Sequence, residues 1–443
     1  MKKILSIILG ASVFFAGCKK ETKDLFDKPV DQRLSETLTN YQNALVQAPG
    51  WKLFVYPKGL EGQAIQVGGL TYYVKFTDNN RVTMVSDFTF PMALTPKESG
   101  YRLRAAQRPS LIFDTYSYIH GAADPDPDVS FSPTSQGGYG WGTDFDFSFT
   151  EVTPKDTIKL QGNYNGSDAV LIKATQAEMT AAFGGELAYI LSSTFDYSSS
   201  NSFLFFPGQG NAKIGVSFNM FLYTLNFSYL VGGSLVTISV PFSHTTYGVH
   251  FKEPVTVGGY TFQDMYWDET KEVYYIRVGN NRVEITNSNT PLFPLRAILG
   301  KSISTISVPS SPLPGQSSLF AATYATIKTN LKTSGFNLDL DNMDFIFDDA
   351  SKYMALNVYV RQNGTPYVVQ YIYQYTYNNS NIAKFTRVYE NPNGAVVEDD
   401  MMPLLDYIEN DRFLLDYFTG SSPILGQFTS QERPAFFFTG NLQ

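Results

Sequence analysis

Apolar and polar positions follow two rhythms along this chain, one near four residues and one of two. Over residues 31–48, Leu34, Leu38, Tyr41 and Leu45 recur at three- and four-residue steps, the stripe of an amphipathic helix, and Pro49-Gly50 stops it. Alternation then takes over at 51–56, 72–76 and 81–85, with the polar Thr77-Asp78-Asn79-Asn80 turning the chain between the last two. Further strand-like runs fall at 101–105, 110–113, 144–150, 157–160 and 169–173. Short strands joined by tight polar turns, with no helices between them, imply an antiparallel meander. About eight strands after one helix suit a small closed barrel or a sandwich.

The pattern then repeats in kind. A helix is predicted at 175–183, followed by strands at 203–206, 214–229, 235–242, 261–267, 273–278 and 282–285, with Val231-Gly232-Gly233-Ser234 as a hairpin turn. Tyr72-Tyr73-Val74-Lys75 leading to Asn79-Asn80-Arg81-Val82 is echoed by Tyr274-Tyr275-Ile276-Arg277 leading to Asn280-Asn281-Arg282-Val283. Two readings stand equal: hairpins of similar modules, or chance likeness between Tyr-rich strands. The proline-rich segment 309–315 reads as an inter-domain linker. A third amphipathic helix begins near Gln316, with Phe320, Tyr324, Ile327 and Leu331 on one face. Strands follow at 345–347, 355–360, 367–377, 383–389, 413–418 and 436–439. A helix is expected at 399–410, with Asp399-Asp400 favourably placed at its positive N-terminus. The expected fold is therefore mainly β with a few helices, a β-rich α+β chain. Its antiparallel meanders form barrel- or sandwich-like modules at 31–174, 175–308 and 316–443, each preceded by a helix.

The first residues change the picture from fold to location. Met1-Lys2-Lys3 precedes an apolar run of roughly a dozen residues, too short for the about 20 that cross a bilayer, so 1–17 reads as a signal peptide. It ends Phe15-Ala16-Gly17-Cys18, which resembles a bacterial lipobox, where Cys18 takes a diacylglyceryl group and becomes the first mature residue. The only cysteine in the chain lies at this position, so an exported body would carry no disulfides. Residues 18–30, with Lys19-Lys20-Glu21, form a lipidated tether; Cys-Lys-Lys-Glu resembles the surface-export tags of Bacteroidota lipoproteins, the periplasmic face being the alternative.

Composition narrows the chemistry. Aromatics make up 15% of the 443 residues, including 29 Tyr and 35 Phe, which favour strands and bury large areas. A formal charge of −8 opposes nucleic-acid binding, which needs a basic footprint. Only three histidines are present, which argues against a histidine-built metal or acid–base site.

Several stretches together carry a family resemblance. They are Gly50-Trp51-Lys52-Leu53, Asp78-Asn79-Asn80-Arg81-Val82-Thr83-Met84, Ser99-Gly100-Tyr101-Arg102-Leu103, Phe113-Asp114-Thr115-Tyr116, Ile119-His120, Asp124-Pro125 and Asp144-Phe145-Asp146-Phe147. With them the chain resembles a Bacteroidota lipoprotein family classed only as a domain of unknown function, less clearly as far as about Ile285. That resemblance implies an accessory lipoprotein of an outer-membrane nutrient-uptake system and supplies no functional residues.

Candidate sites are few. In Asp124-Pro125-Asp126-Pro127-Asp128, proline-stiffened extended backbone would aim alternate carboxylates to one side, where Asp124, Asp126 and Asp128 could ligate calcium; a stiff acidic surface loop is the plain alternative. Asp339, Asp341, Asp344, Asp348 and Asp349 suggest a solvated sheet face or edge. His120 reads as structural, and His244 and His250 have no partner spaced for zinc. The loop Ser135-Gln136-Gly137-Gly138-Tyr139-Gly140-Trp141-Gly142 lacks the lysine of a phosphate cradle, but its glycines could let Tyr139 and Trp141 face a sugar or peptide; Trp141 packed onto the sheet is the alternative. The leading expectation is a non-catalytic accessory or binding lipoprotein for glycan or peptide uptake. Behind it stand a carboxylate-dependent hydrolase and an assembly partner of an outer-membrane complex.

Overall fold

A computed structural model describes residues 28–58, 67–105, 108–131, 138, 140–151, 153–378 and 382–443. The helix Val30–Gln47 leads into eight strands, from Gly50–Tyr56 to Asp168–Ala174, each antiparallel to the next, and the first pairs with the last to close a barrel. Eight strands enclose a space that side chains can fill, here with Leu53, Val74, Phe76, Phe113, Phe147 and Leu171. The helix covers one end. Tyr41 stacks on Phe149 at 3.7 Å and donates to the Glu151 carbonyl, while the Trp51 indole donates to the Leu45 carbonyl.

The second sheet is also a ring. Its order of nine segments begins with Asn281–Glu284 and ends with Thr286–Asn287, which are successive pieces of one stretch of chain. Residues 281–284 pair with Val273–Val278, and Thr286 and Asn287 pair with Phe205 and Leu204. Ile285 makes the step between them, its N–H donating to Tyr274 and its carbonyl accepting from the Tyr197 hydroxyl. The third sheet runs from Thr305–Pro309 to Phe437–Leu442 and closes through Ile306 opposite Leu442. All three meanders thus close as barrels, a point that strand count and turn spacing left open against the sandwich.

Several boundaries differ from expectation, for identifiable reasons. Thr305–Pro309 is the first strand of the third barrel, so segment 309–315 joins that strand to the helix Ser318–Thr333 within one barrel and is not a linker between modules. The predicted strand 214–229 is two strands, Lys213–Asn219 and Thr224–Val231, joined by four apolar residues at 220–223, with Asn219 as the one turn-forming side chain. A helix at Glu186–Ser200 follows Gln176–Phe183; its serine-rich end hid it, and its burial of Leu187, Ile190 and Tyr197 holds it. The two Tyr-rich echoes are both hairpins, but one joins the second and third strands of its barrel and the other closes the second barrel, so they are not equivalent parts of a repeat. Asp339, Asp341, Asp344 and Asp348 lie on the strand Leu338–Asp348, which is paired on both sides over 342–346 and on one side only over 338–341; in that part Asp339 meets Lys332 and Asp341 meets Arg361 at the solvated surface.

Candidate functional site

Of the residues nominated from sequence, Cys18 and Tyr139 lie outside the described residues. Trp141 is buried at 6% exposure, edge-on to Phe88, with its indole donating to the Ser130 carbonyl at 2.7 Å. It is a core residue and offers no ring face to a ligand. The acidic run is not extended either. Asp126 caps a helical turn, Pro127–Ser130, because aspartate is a strong cap and proline is pre-set for the first helical position. Asp124 accepts from the Asp126 N–H and the Tyr116 hydroxyl, and Asp126 accepts from the Asp128 N–H. Three of the carboxylate oxygens are therefore already engaged by the loop itself. Among the described residues no group of three acidic, histidine or cysteine side chains is arranged to hold a metal ion.

The structure instead gathers apolar side chains that the sequence did not single out. Thr89 caps the short helix Phe90–Leu94, which packs beside Glu186–Ser200. Opposite lies the turn at 220–223, where Asn219 accepts from the Leu222 N–H and Tyr223 takes a left-handed φ of 52°. Between them is a cleft of about 490 Å³ lined by Phe90, Leu191, Ser192, Phe195, Met220, Phe221 and Tyr223. Phe195 and Phe221 are each 58% exposed, and Phe90 48%. Three half-exposed phenylalanines around one hollow are an exposed apolar feature of the kind that marks recognition sites. The sequence did hold one signal: a 16-residue strand exceeds the usual length, so a turn had to interrupt 214–229, and any turn there exposes apolar residues.

Tyr223 forms the floor and ties the cleft to a sealed polar knot. Its hydroxyl donates to the Asp87 carbonyl at 2.6 Å. The Asp87 carboxylate accepts from the Thr71 N–H at 2.7 Å and the His244 N–H at 3.1 Å, and the Thr71 hydroxyl donates to the His244 carbonyl. Asp87 and His244 are fully buried, with the imidazole Nδ1 3.6 Å from the carboxylate. Burial, reinforced by the Asp87 charge, pushes the Tyr72 and Tyr223 hydroxyls well above the ordinary tyrosine range, so both stay protonated. No substrate reaches this knot; it is a joint between the first two barrels.

A second histidine pair is closer to solvent. His250 Nδ1 lies 2.8 Å from Asp264, which also accepts from the Tyr247 hydroxyl, and the imidazole stacks on Phe54 at 4.8 Å. The pairing was illegible because the hairpin register shifts between His250 and Val255. Continuing the pairing of Val257 with Tyr260 would set His250 against Trp267, whereas the irregularity, next to Pro254, sets it against Asp264. His120 is structural as expected: its Nδ1 accepts from the Ser117 N–H, its ring stacks on Phe145, and burial lowers its pKa. Among carboxylates, Glu186 is raised by burial and by the charge of Glu269, and Asp400 by burial and Asp399.

The fold and cleft thus define a three-barrel protein with an exposed apolar hollow where its first two barrels join. This chain belongs to the family described as a domain of unknown function, DUF4302, whose model matches residues 22–269, more than half of its length. The match stops short of the strands that close the second barrel. No curated protein matches the chain.

Proposed function

We propose that this is an exported lipoprotein, held at the outer membrane by a lipid on Cys18, that acts without catalysis as a binding or accessory component of a nutrient-uptake system. The leader and Cys18 motivate the anchoring; among the described residues no helix is long and apolar enough to cross a membrane. The observation that carries the binding role is the cleft between Phe90, Phe195 and Phe221. Its lining offers apolar surface and, apart from Ser192, little polar side chain, which suits the apolar side chains of a peptide better than the hydroxyls of a glycan.

The test is titration of the soluble body, lacking 1–18, with peptide pools and polysaccharides, while mass spectrometry follows the supernatant. Phe195→Ala with Phe221→Ala should weaken peptide binding at least tenfold, as loss of two aromatic anchors does. Peptide binding unchanged in that variant would sink the cleft reading. A carboxylate-dependent hydrolase is the second reading, motivated by the raised Glu186 beside Glu269. Product formation abolished by Glu186→Gln would favour it. Anchoring is checked separately by incorporation of labelled palmitate, which Cys18→Ala should abolish.

A further inference from the structure

A second hollow, of about 530 Å³, lies where the second barrel meets the third. Its size falls within the range of about 300–1,000 Å³ typical of small-ligand sites. Its chemistry differs from that of the cleft. Not one of the side chains lining it is acidic or basic; hydroxyls and amides alternate with Tyr417, Phe203, prolines and aliphatic residues. We propose that this seam binds a neutral saccharide, with Tyr417 and Phe203 as its apolar contacts and Asn287, Ser288 and Asn289 as its polar ones.

The reasoning is one of matching groups. A sugar ring presents polarised C–H bonds on its faces and hydroxyls at its rim, each hydroxyl both donor and acceptor. Aromatic faces carry negative charge density that receives such C–H bonds, and neutral amides and hydroxyls supply donors and acceptors without a charge to strip of water. Charged ligands would find no counter-charge here. The site is also held in shape before any ligand arrives. Asn287 lies on the closing strand pair and Phe203 immediately before it: the Phe203 N–H donates to the Asn287 side-chain oxygen at 2.9 Å, and the Ser288 N–H donates to the Phe203 carbonyl at 3.0 Å. That leaves the Asn287 amide hydrogens for a ligand. Across the seam, the Tyr417 hydroxyl donates to the Phe293 carbonyl at 3.1 Å, which fixes the ring. Burial raises the pKa of that hydroxyl, so it contributes no charge. Side chains already ordered lose less freedom on binding.

The experiment is an array of neutral oligosaccharides and of uronate-containing ones, followed by calorimetric titration of the full soluble chain with the best neutral hit. Tyr417→Ala should weaken that binding at least tenfold. Asn289→Ala, at an exposed position, should weaken it at least threefold without disturbing the fold, which guards against a folding defect in the first variant. The paired Phe195 and Phe221 substitutions should leave it unchanged, so failure here and failure of the cleft reading are separable. The proposal is overturned if no neutral glycan is retained, if uronates bind more tightly than neutral glycans, or if Asn289→Ala binds as the parent does.

Discussion

The first and second barrels share one apolar interior, whereas the third has its own. A single cluster runs from Tyr41 on the first helix to Ile285 in the closing strand of the second barrel, and a separate one runs from Leu295 to Phe438. The first joint is built from backbone as well as side chains. Gly68 and Gly69 donate to the Leu222 and Phe242 carbonyls, and Gly68 approaches so closely that a Cβ there would meet the Tyr223 carbonyl at 2.2 Å. The second joint is the seam with its hollow, crossed by the Tyr417 hydroxyl. The third barrel relies on its own devices, among them Arg433, which bridges Asp406 and Asp411 and lies over the Tyr407 ring at 3.8 Å. A shared interior makes two barrels one cooperative unit, while a separate core next to a partly hollow seam lets the third unfold on its own.

The largest effects should separate the two units in denaturant. Trp141→Ala and Phe428→Ala each remove a buried aromatic, at a cost of about 3–5 kcal/mol. The first should lower only the transition of the paired barrels and the second only that of the third barrel, as read by tyrosine and tryptophan fluorescence. A single transition shifted equally by both would break the comparison.

Asp87→Ala should come next, destabilising the paired barrels by about 2–3 kcal/mol because two buried N–H groups lose a charged acceptor. Hydrogen exchange at Thr71 and His244 should quicken while the third barrel's protection stays unchanged. Equal quickening in the third barrel would show that the joint reaches further than its contacts do.

The smallest effect concerns pH. Burial pushes Glu178 up, but its hydrogen bond with Lys52 at 2.6 Å and the Thr175 N–H outweigh this and hold it below the ordinary glutamate range. A folded-state pKa below the unfolded one contributes stability that is present above the unfolded value and lost as pH falls through the folded one. Glu178→Gln should therefore cost about 1 kcal/mol at about pH 6, a cost that shrinks as pH falls below the ordinary glutamate range. A difference that persists in acid would assign the loss to the helix cap instead of the charge.

Much of the first barrel was legible because its periodicity is clean. All eight strands and the leading helix were read within a few residues, since alternating residues such as those of Thr157 to Leu160 meet water on one side and the interior on the other. The strand Gly248–Val257 was missed because Pro254 lies inside it, and Leu425–Ser430 because its buried positions include Gly426 and Ser430. Beyond the excessive length of the strand predicted around Phe221, nothing could single out Phe90, Phe195 and Phe221, for they lie on a short helix, a helix hidden by serines and a turn. Each alone reads as an ordinary apolar residue.

The sequence by itself determined the β-rich class, most elements and the Gly232-Gly233 hairpin, since local rhythm and turn chemistry act between near neighbours. Only the tertiary structure decided that the meanders close, that two barrels share an interior, and that Trp141 lies inside while Phe195 and Phe221 face water. Those outcomes depend on contacts between residues far apart in the chain, whose burial is settled by what packs against them and not by their own chemistry.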